Sequence, residues 1–310
     1  MESRERGHQN FEHVDYAAHV ERVLRSASQV RPDENDFGEL YNETIISRDL
    51  EVVKILEGKF DENIDHLTPS EIKRVKEGRK RSEALEVIIV EGAELHNWFG
   101  PNVFASRTGK YDDYSGIDEV LEIVQEEGEQ AHSVALAIDA SMRPDFSSIQ
   151  RKIKRNVEKV LGPKKPRVKY FQSAVDGSKK SLTMVLPVVV GVEGKNAEEL
   201  INLFGEVIQL REIKDKTEQI KKKLKERLEI IANHPAQVVF LQEIMDQLDG
   251  YIRVFAKRTD KDSVEYGKRA KELASVISDI IDTKAVIDIG KYEDDGVYLT
   301  IEEVAGTMGQ

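Results

Sequence analysis

Cysteine is absent from the chain. Disulfides, thiolate zinc sites, iron–sulfur clusters and cysteine nucleophiles are therefore excluded, and the lack fits a reducing compartment. Long hydrophobic runs are also missing. The longest are VIIV (87–90) and VLPVVVGV (185–192), far short of the roughly 20 apolar residues that span a bilayer. The opening MESRERGHQNFEHVDYAAHVERVL is charged and has no apolar core, so no secretory signal is expected there. Nucleotide-cradling glycine patterns (G-x-x-x-x-G-K-[ST], G-x-G-x-x-G) and a G-x-S-x-G elbow are absent as well. The seven histidines are dispersed, with His13 and His19 six apart, which argues against a helical zinc pair. A soluble, cytoplasmic protein without a membrane partner is expected.

What is present is charge. Of 310 residues, 34% are charged and 39% hydrophobic, and the net charge is −12. That allows a core with long solvated helices. A nucleic-acid site on such a chain must be a local basic patch or act through a metal. The basic runs at 73–81, 162–169 and 221–227 can follow a phosphate backbone or serve as solvated faces.

Three regions follow from the patterning. Residues 1–68 form a helical N-terminal extension, with Phe11, Val14, Ala18 and Val20 to Leu24, then Leu50, Val53, Ile55 and Leu56, at helical spacing. Residues 69–210 form an α/β core. It opens with a helix capped by Thr68 or Ser70 and carrying Pro69, exposed in its first half and apolar in its second. Strands follow at NVFASR, IDEVLEIV and the nearly continuous AHSVALAIDAS. An amphipathic helix comes next, with Phe146, Ile149, Ile153, Val157 and Val160 as its stripe, and then strands at RVKYFQSAV and LTMVLPVVVGVEG and a helix capped by Asn196. This is a mixed central sheet of about five strands flanked by helices. Residues 211–310 form a helical C-terminal region suited to clamping a substrate or forming a homodimer, with a terminal hairpin expected around Asp295-Gly296.

The segment KYDDYSGIDEVLEI (110–123) concentrates acids at the start of a strand. Asp112 and Asp113 suit a turn or the rim of a site. Asp118 opens one strand and Asp139 lies late in the next, after the apolar VALAI. If the strands are antiparallel neighbours, the two carboxylates meet at one sheet end, and paired oxygen ligands suit Mg²⁺ (or Mn²⁺). A turn-closing role for Asp118 is the alternative.

These residues resemble the PD-(D/E)XK nuclease superfamily. GID (116–118) matches its first acid, with Gly116 where proline is frequent, and IDAS (138–141) supplies Asp139 as the second acid. The resemblance spans about 70–210. It implies a restriction-endonuclease-like core that runs helix, three strands, helix, strand. It also implies a metal-dependent hydrolase acting on DNA or RNA. The helical glutamate would be Glu91 or Glu94, joining Asp118 and Asp139 on the metal. Ser141 occupies the slot of the strand lysine and cannot supply its cation, so Lys152 or Lys154 on the next helix would do so. Lys110, Asp112, Asp113 and Ser141 would form the rim. The alternative is a nuclease-fold protein that has lost catalysis and serves as a protein or nucleic-acid interaction module.

Overall fold

The Thr68-Pro69-Ser70-Glu71 stretch opens the longest helix. The Glu71 amide donates to Thr68 Oγ1 at 3.4 Å, and the Thr68 amide donates to the Glu71 carboxylate at 2.9 Å. The pair forms a reciprocal cap. The computed structural model describes residues 15–26, 31–127, 130–143 and 145–310; Phe11 and Val14 lie outside them. The helices are α1 (Tyr16–Ser26), α2 (Glu43–Ile64), α3 (Pro69–His96), α4 (Lys110–Tyr114), α5 (Phe146–Leu161), α6 (Gly194–Glu212), α7 (Glu218–Ala232), α8 (Ala236–Ala256), α9 (Lys261–Thr283) and α10 (Gly296–Thr307). The strands are β1 (Val103–Arg107), β2 (Glu119–Glu127), β3 (Gln130–Ser141), β4 (Arg167–Gln172), β5 (Lys179–Thr183) and β6 (Leu186–Gly191).

As its composition predicts, α3 starts in solvent and ends in the core, with Ala84 through Ala93 all buried. Asn97 ends it in the left-handed conformation, and Trp98 folds back over Gly92, where a Cβ would fall 2.4 Å from the indole. The indole N–H donates to the Ile231 carbonyl at 2.8 Å and ties α3 to α7.

The main sheet has four strands in the order β1-β2-β3-β6; β1, β2 and β3 are antiparallel, and β6 lies parallel to β3. The five-stranded sheet expected from the patterning is corrected on two counts. First, LTMVLPVVVGV is not one strand. Met184, at φ 59°, kinks the chain between β5 and β6. Second, β4 pairs only with β5, as a separate two-stranded sheet. Val168 and Phe171 of β4 pack over Ile117, Val120, Ala135 and Ala137, so this small sheet covers one face of the large one.

The place beside β6 is taken by α8. Glu243 accepts the Gly191 amide at 2.8 Å. Gln247 accepts the Val189 amide at 2.9 Å and donates to its carbonyl at 2.7 Å. Tyr251 donates to the Pro187 carbonyl at 2.8 Å. Four helical residues rise about 6 Å and two strand residues about 6.6 Å, so helix positions four apart stay in register with strand positions two apart. On the other side of β6, a Cβ at Gly191 would lie 1.8 Å from the Ser141 carbonyl oxygen. Only glycine permits that approach of β6 to β3.

The region after residue 210 joins the main core. Phe240, Ile244, Leu248, Ile277, Ile301 and Val304 belong to the same hydrophobic cluster as Leu121, Leu136 and Val189. The expected terminal hairpin is replaced by α10. Asp295 caps it by accepting the Val297 and Tyr298 amides at 2.9 and 3.2 Å, and Val297, Ile301 and Val304 are buried on one helical face. No helix among the described residues is long and apolar enough to cross a membrane.

The N-terminal segments are pinned by Lys169 of β4. Its buried ammonium pairs with Asp49 of α2 and lies 4.8, 5.3 and 5.2 Å from the ring centroids of Tyr41, Tyr111 and Tyr170. Removing one partner of a buried pair strands the other charge and costs about 3–5 kcal/mol. Lys169→Met is therefore expected to lower stability by that amount in urea unfolding. Lys169→Met combined with Asp49→Leu should recover most of the loss.

Candidate functional site: a carboxylate cluster at the strand ends

The ladder between β2 and β3 pairs Glu119 with Ile138 and continues through the Asp118 amide, which donates to the Ile138 carbonyl at 2.8 Å. Beyond the Glu119–Ile138 pair, the Asp118 carboxylate reaches across to the Ala140 amide, which brings it beside Asp139. The pairing of β2 with β3 and the Asp118–Ala140 bond bring the two aspartates together at one sheet end, close enough for Asp139 to act on the Asp118 carboxyl. The chain enters this position through Gly116 at φ 84°, where a Cβ would also meet the Arg155 guanidinium at 2.6 Å.

The two aspartates are held differently. Asp118 Oδ2 accepts the Ala140 amide at 2.8 Å. Asp139 is paired with cations of α5 through both oxygens: Oδ1 with Lys152 Nζ at 2.6 Å and Oδ2 with Arg155 Nη2 at 3.0 Å. Lys152 also donates to the Ala140 carbonyl at 3.2 Å. Lys152 and Arg155 are three positions apart, so both occupy one face of α5.

A second group of acids closes the site from α3. Glu86 pairs with Arg107 of β1 and with Arg31, both at 3.0 Å, and Arg107 also reaches Glu83 at 3.3 Å. Arg31 in turn pairs with Asp113. Glu119 is fully buried, and neither carboxylate oxygen has a hydrogen-bond partner. Burial pushes the Glu86 carboxyl up to about 7, with Asp113 adding to the rise and Arg31 and Arg107 opposing it. Burial, then Glu86 and Asp139, holds Asp118 well above the usual carboxylate range. Burial, then Glu86, does the same to Glu119. The neutral acid is the favoured form where water is excluded and like charges converge.

Several expected positions lie elsewhere. Glu91 accepts the Ser26 hydroxyl at 2.9 Å, and Glu94 accepts the Ala105 amide at 2.6 Å. The acid of α3 that faces the cluster is Glu86. Five helical residues rotate a side chain by about 140°, and eight carry it about 12 Å along the axis, so Glu91 and Glu94 cannot replace it. Glu86 stands alone in the apolar run ALEVIIV, the same kind of signal that singled out Asp139. Lys154 is exposed and makes no ion pair among the described residues; Lys152 is the lysine at the acids. Lys110 pairs with Glu57 of α2 at 3.2 Å, away from the site. Asp112 is not a rim residue: it is buried and accepts the Lys169 and Tyr170 amides at 2.8–3.0 Å. Asp113 reaches the cluster through Arg31. Ser141, buried, lies beside Gly191.

An all-oxygen donor set suits a hard divalent cation, but the arrangement does not form such a site. Both Asp139 oxygens are taken by Lys152 and Arg155. Among the described residues, no three acids or histidines are placed to hold a metal ion. What the geometry does provide is a half-buried ammonium, Lys152, oriented by a buried carboxylate at the mouth of an acid-lined strand end.

The raised Glu86 value has a consequence for stability. The folded state keeps a proton on Glu86 that the unfolded chain releases near its ordinary value of 4.5. The resulting contribution is complete below that value and is lost as pH rises through about 7. The stability of the parent protein minus that of Glu86→Gln is therefore expected to decline across this window in urea titrations, and a flat difference would contradict the assignment. Comparison of the chain with protein-family models, curated proteins and solved structures finds no match.

Proposed function

We propose that the chain is a nuclease-like protein that hydrolyses phosphodiester bonds in DNA, with RNA the second choice. The observation that carries this reading is the proximity of Asp118 and Asp139 at the end of the β2–β3 pair, with Lys152 at 2.6 Å from Asp139. With the short α4 between β1 and β2 and the separate β4–β5 sheet between α5 and β6 set aside, the order α3, β1, β2, β3, α5, β6 supports it, because the nuclease superfamily resembled by the sequence has a helix, three strands, a helix and a strand. Glu86 takes the part of the helical glutamate, and Lys152 that of the lysine for which Ser141 cannot substitute. In this reading Asp139 positions the Lys152 ammonium, which stabilises charge growing on a phosphate oxygen and orients the attacking water. Mg²⁺ or Mn²⁺ enters the proposal only as the cofactor that the resemblance implies.

A second reading keeps the fold and drops catalysis, making the protein a nucleic-acid interaction module. It is favoured by the full engagement of the Asp139 carboxylate with Lys152 and Arg155.

The deciding assay is cleavage of plasmid and single-stranded DNA across several divalent ions. Asp118→Ala, Asp139→Ala and Lys152→Met should each reduce the rate by about 100-fold or more. Cleavage that survives all three changes comes from a contaminant and removes the hydrolase. Binding of DNA without cleavage under any ion selects the second reading.

A further inference from the structure

One helical turn beyond Lys152 and Arg155, the same face of α5 opens into a separate cavity. Its volume is about 340 Å³, within the range of small-ligand pockets. The turn at 115–117 forms one wall, Asn156 and Lys159 of α5 another, and Lys164, Lys165 and Arg167 of the segment leading into β4 the third.

Three observations characterise it. Asn156 is only 2% exposed, lines the cavity, and has no hydrogen-bond partner for its side-chain N–H₂. A buried amide donor left unpaired is costly, and native structures rarely keep one without a role. Lys159, Lys164 and Arg167 pair with no carboxylate among the described residues, in a chain of net charge −12. Lys159 is held at the wall by donating to the Ser115 carbonyl at 2.8 Å. At the end of α5, the Glu158 and Val160 carbonyls accept the Gly162 amide at 2.8 Å and Lys165 Nζ at 2.9 Å. The acid of the lining, Asp112, has both oxygens turned to the Lys169 and Tyr170 amides and interacts with Arg167, so Lys159 and Lys164 carry the excess positive charge.

A preorganised neutral donor flanked by cations that outnumber the acids of the lining is the chemistry that recognises a tetrahedral oxyanion. The geometry points to this cavity as a binding site for a phosphate ester, with the Asn156 amide and the Lys159 ammonium donating to phosphate oxygens and Lys164 and Arg167 closing over them. The volume leaves room for the group esterified to the phosphate. The site is distinct from the Asp118–Asp139 pair and does not depend on hydrolysis there. Burial, followed by Arg155, lowers the Lys159 ammonium from its ordinary value, with Asp139 opposing. A bound phosphate would reverse that shift.

The test is titration of the full chain, followed by calorimetry and by the amide signals of the Asn156 side chain. The probes are inorganic phosphate, a nucleoside 5′-monophosphate and a short oligothymidylate. Saturable phosphate binding that shifts the Asn156 signals is expected. Asn156→Leu and Lys159→Gln should each weaken it by about tenfold or more. Lys164→Glu with Arg167→Glu, both on exposed positions, should weaken it without disturbing the buried lining. Tighter binding of the monophosphate assigns the site to a small ester, and tighter binding of the oligomer assigns it to a nucleic-acid backbone. Lys152→Met separates this site from the hydrolytic one, since phosphate binding should persist in that variant even if cleavage is lost. Binding that does not saturate, or that is unchanged in Asn156→Leu, Lys159→Gln and the double variant, overturns the assignment.

Discussion

The confinement of carboxylates at one end of the sheet is the constraint on which the rest of this structure depends. Glu86, Asp118, Glu119 and Asp139 are all at least nine-tenths buried. Buried acids must be neutralised by a proton or by a paired cation. The fold combines the two solutions. Asp139 is paired from α5, Glu86 is paired from β1 and from Arg31, and Asp118 and Glu119 are driven toward their neutral forms. The docking of α3, α5 and the Arg31 segment onto the strands is therefore an electrostatic arrangement as well as an apolar one.

Much of this is legible in the sequence, for identifiable reasons. The cap at Thr68-Glu71 and the shift from basic to apolar along KRVKEGRKRSEALEVIIV announce a helix entering the core. The apolar runs on either side of EEGEQ give the β2–β3 pair, and with it the meeting of Asp118 and Asp139. Other features depend on partners that sequence does not display. β4 has the look of a central strand, yet it pairs only with β5. VYLTIEEV alternates enough to read as a strand, and Asp295-Gly296 reads as a hairpin turn. The same two residues serve equally well as a helix cap once Asp295 also accepts the Glu193 amide and the Asn196 side chain. Sequence points to Glu91 and Glu94 rather than Glu86 because rotation about a helix is fixed only by what it packs against.

One face of α5 organises both proposed sites. Lys152 and Arg155 meet Asp139, and Asn156 and Lys159, a turn later, line the neighbouring cavity. The separation of local from total charge explains how an acidic chain can present such a surface. The acids at the Asp118–Asp139 end are buried and paired or protonated, while at the cavity the cations Lys159, Lys164 and Arg167 outnumber the one lining acid, Asp112.

The side-chain ladder from α8 to β6 has a counterpart at the opposite margin of the sheet, where Glu94 occupies the outward amide of Ala105 in β1. Exposed strand margins are where a foreign segment can be recruited by main-chain pairing or where copies of a protein stick to one another. With both margins engaged by the chain's own helices, β-augmentation is blocked at those points.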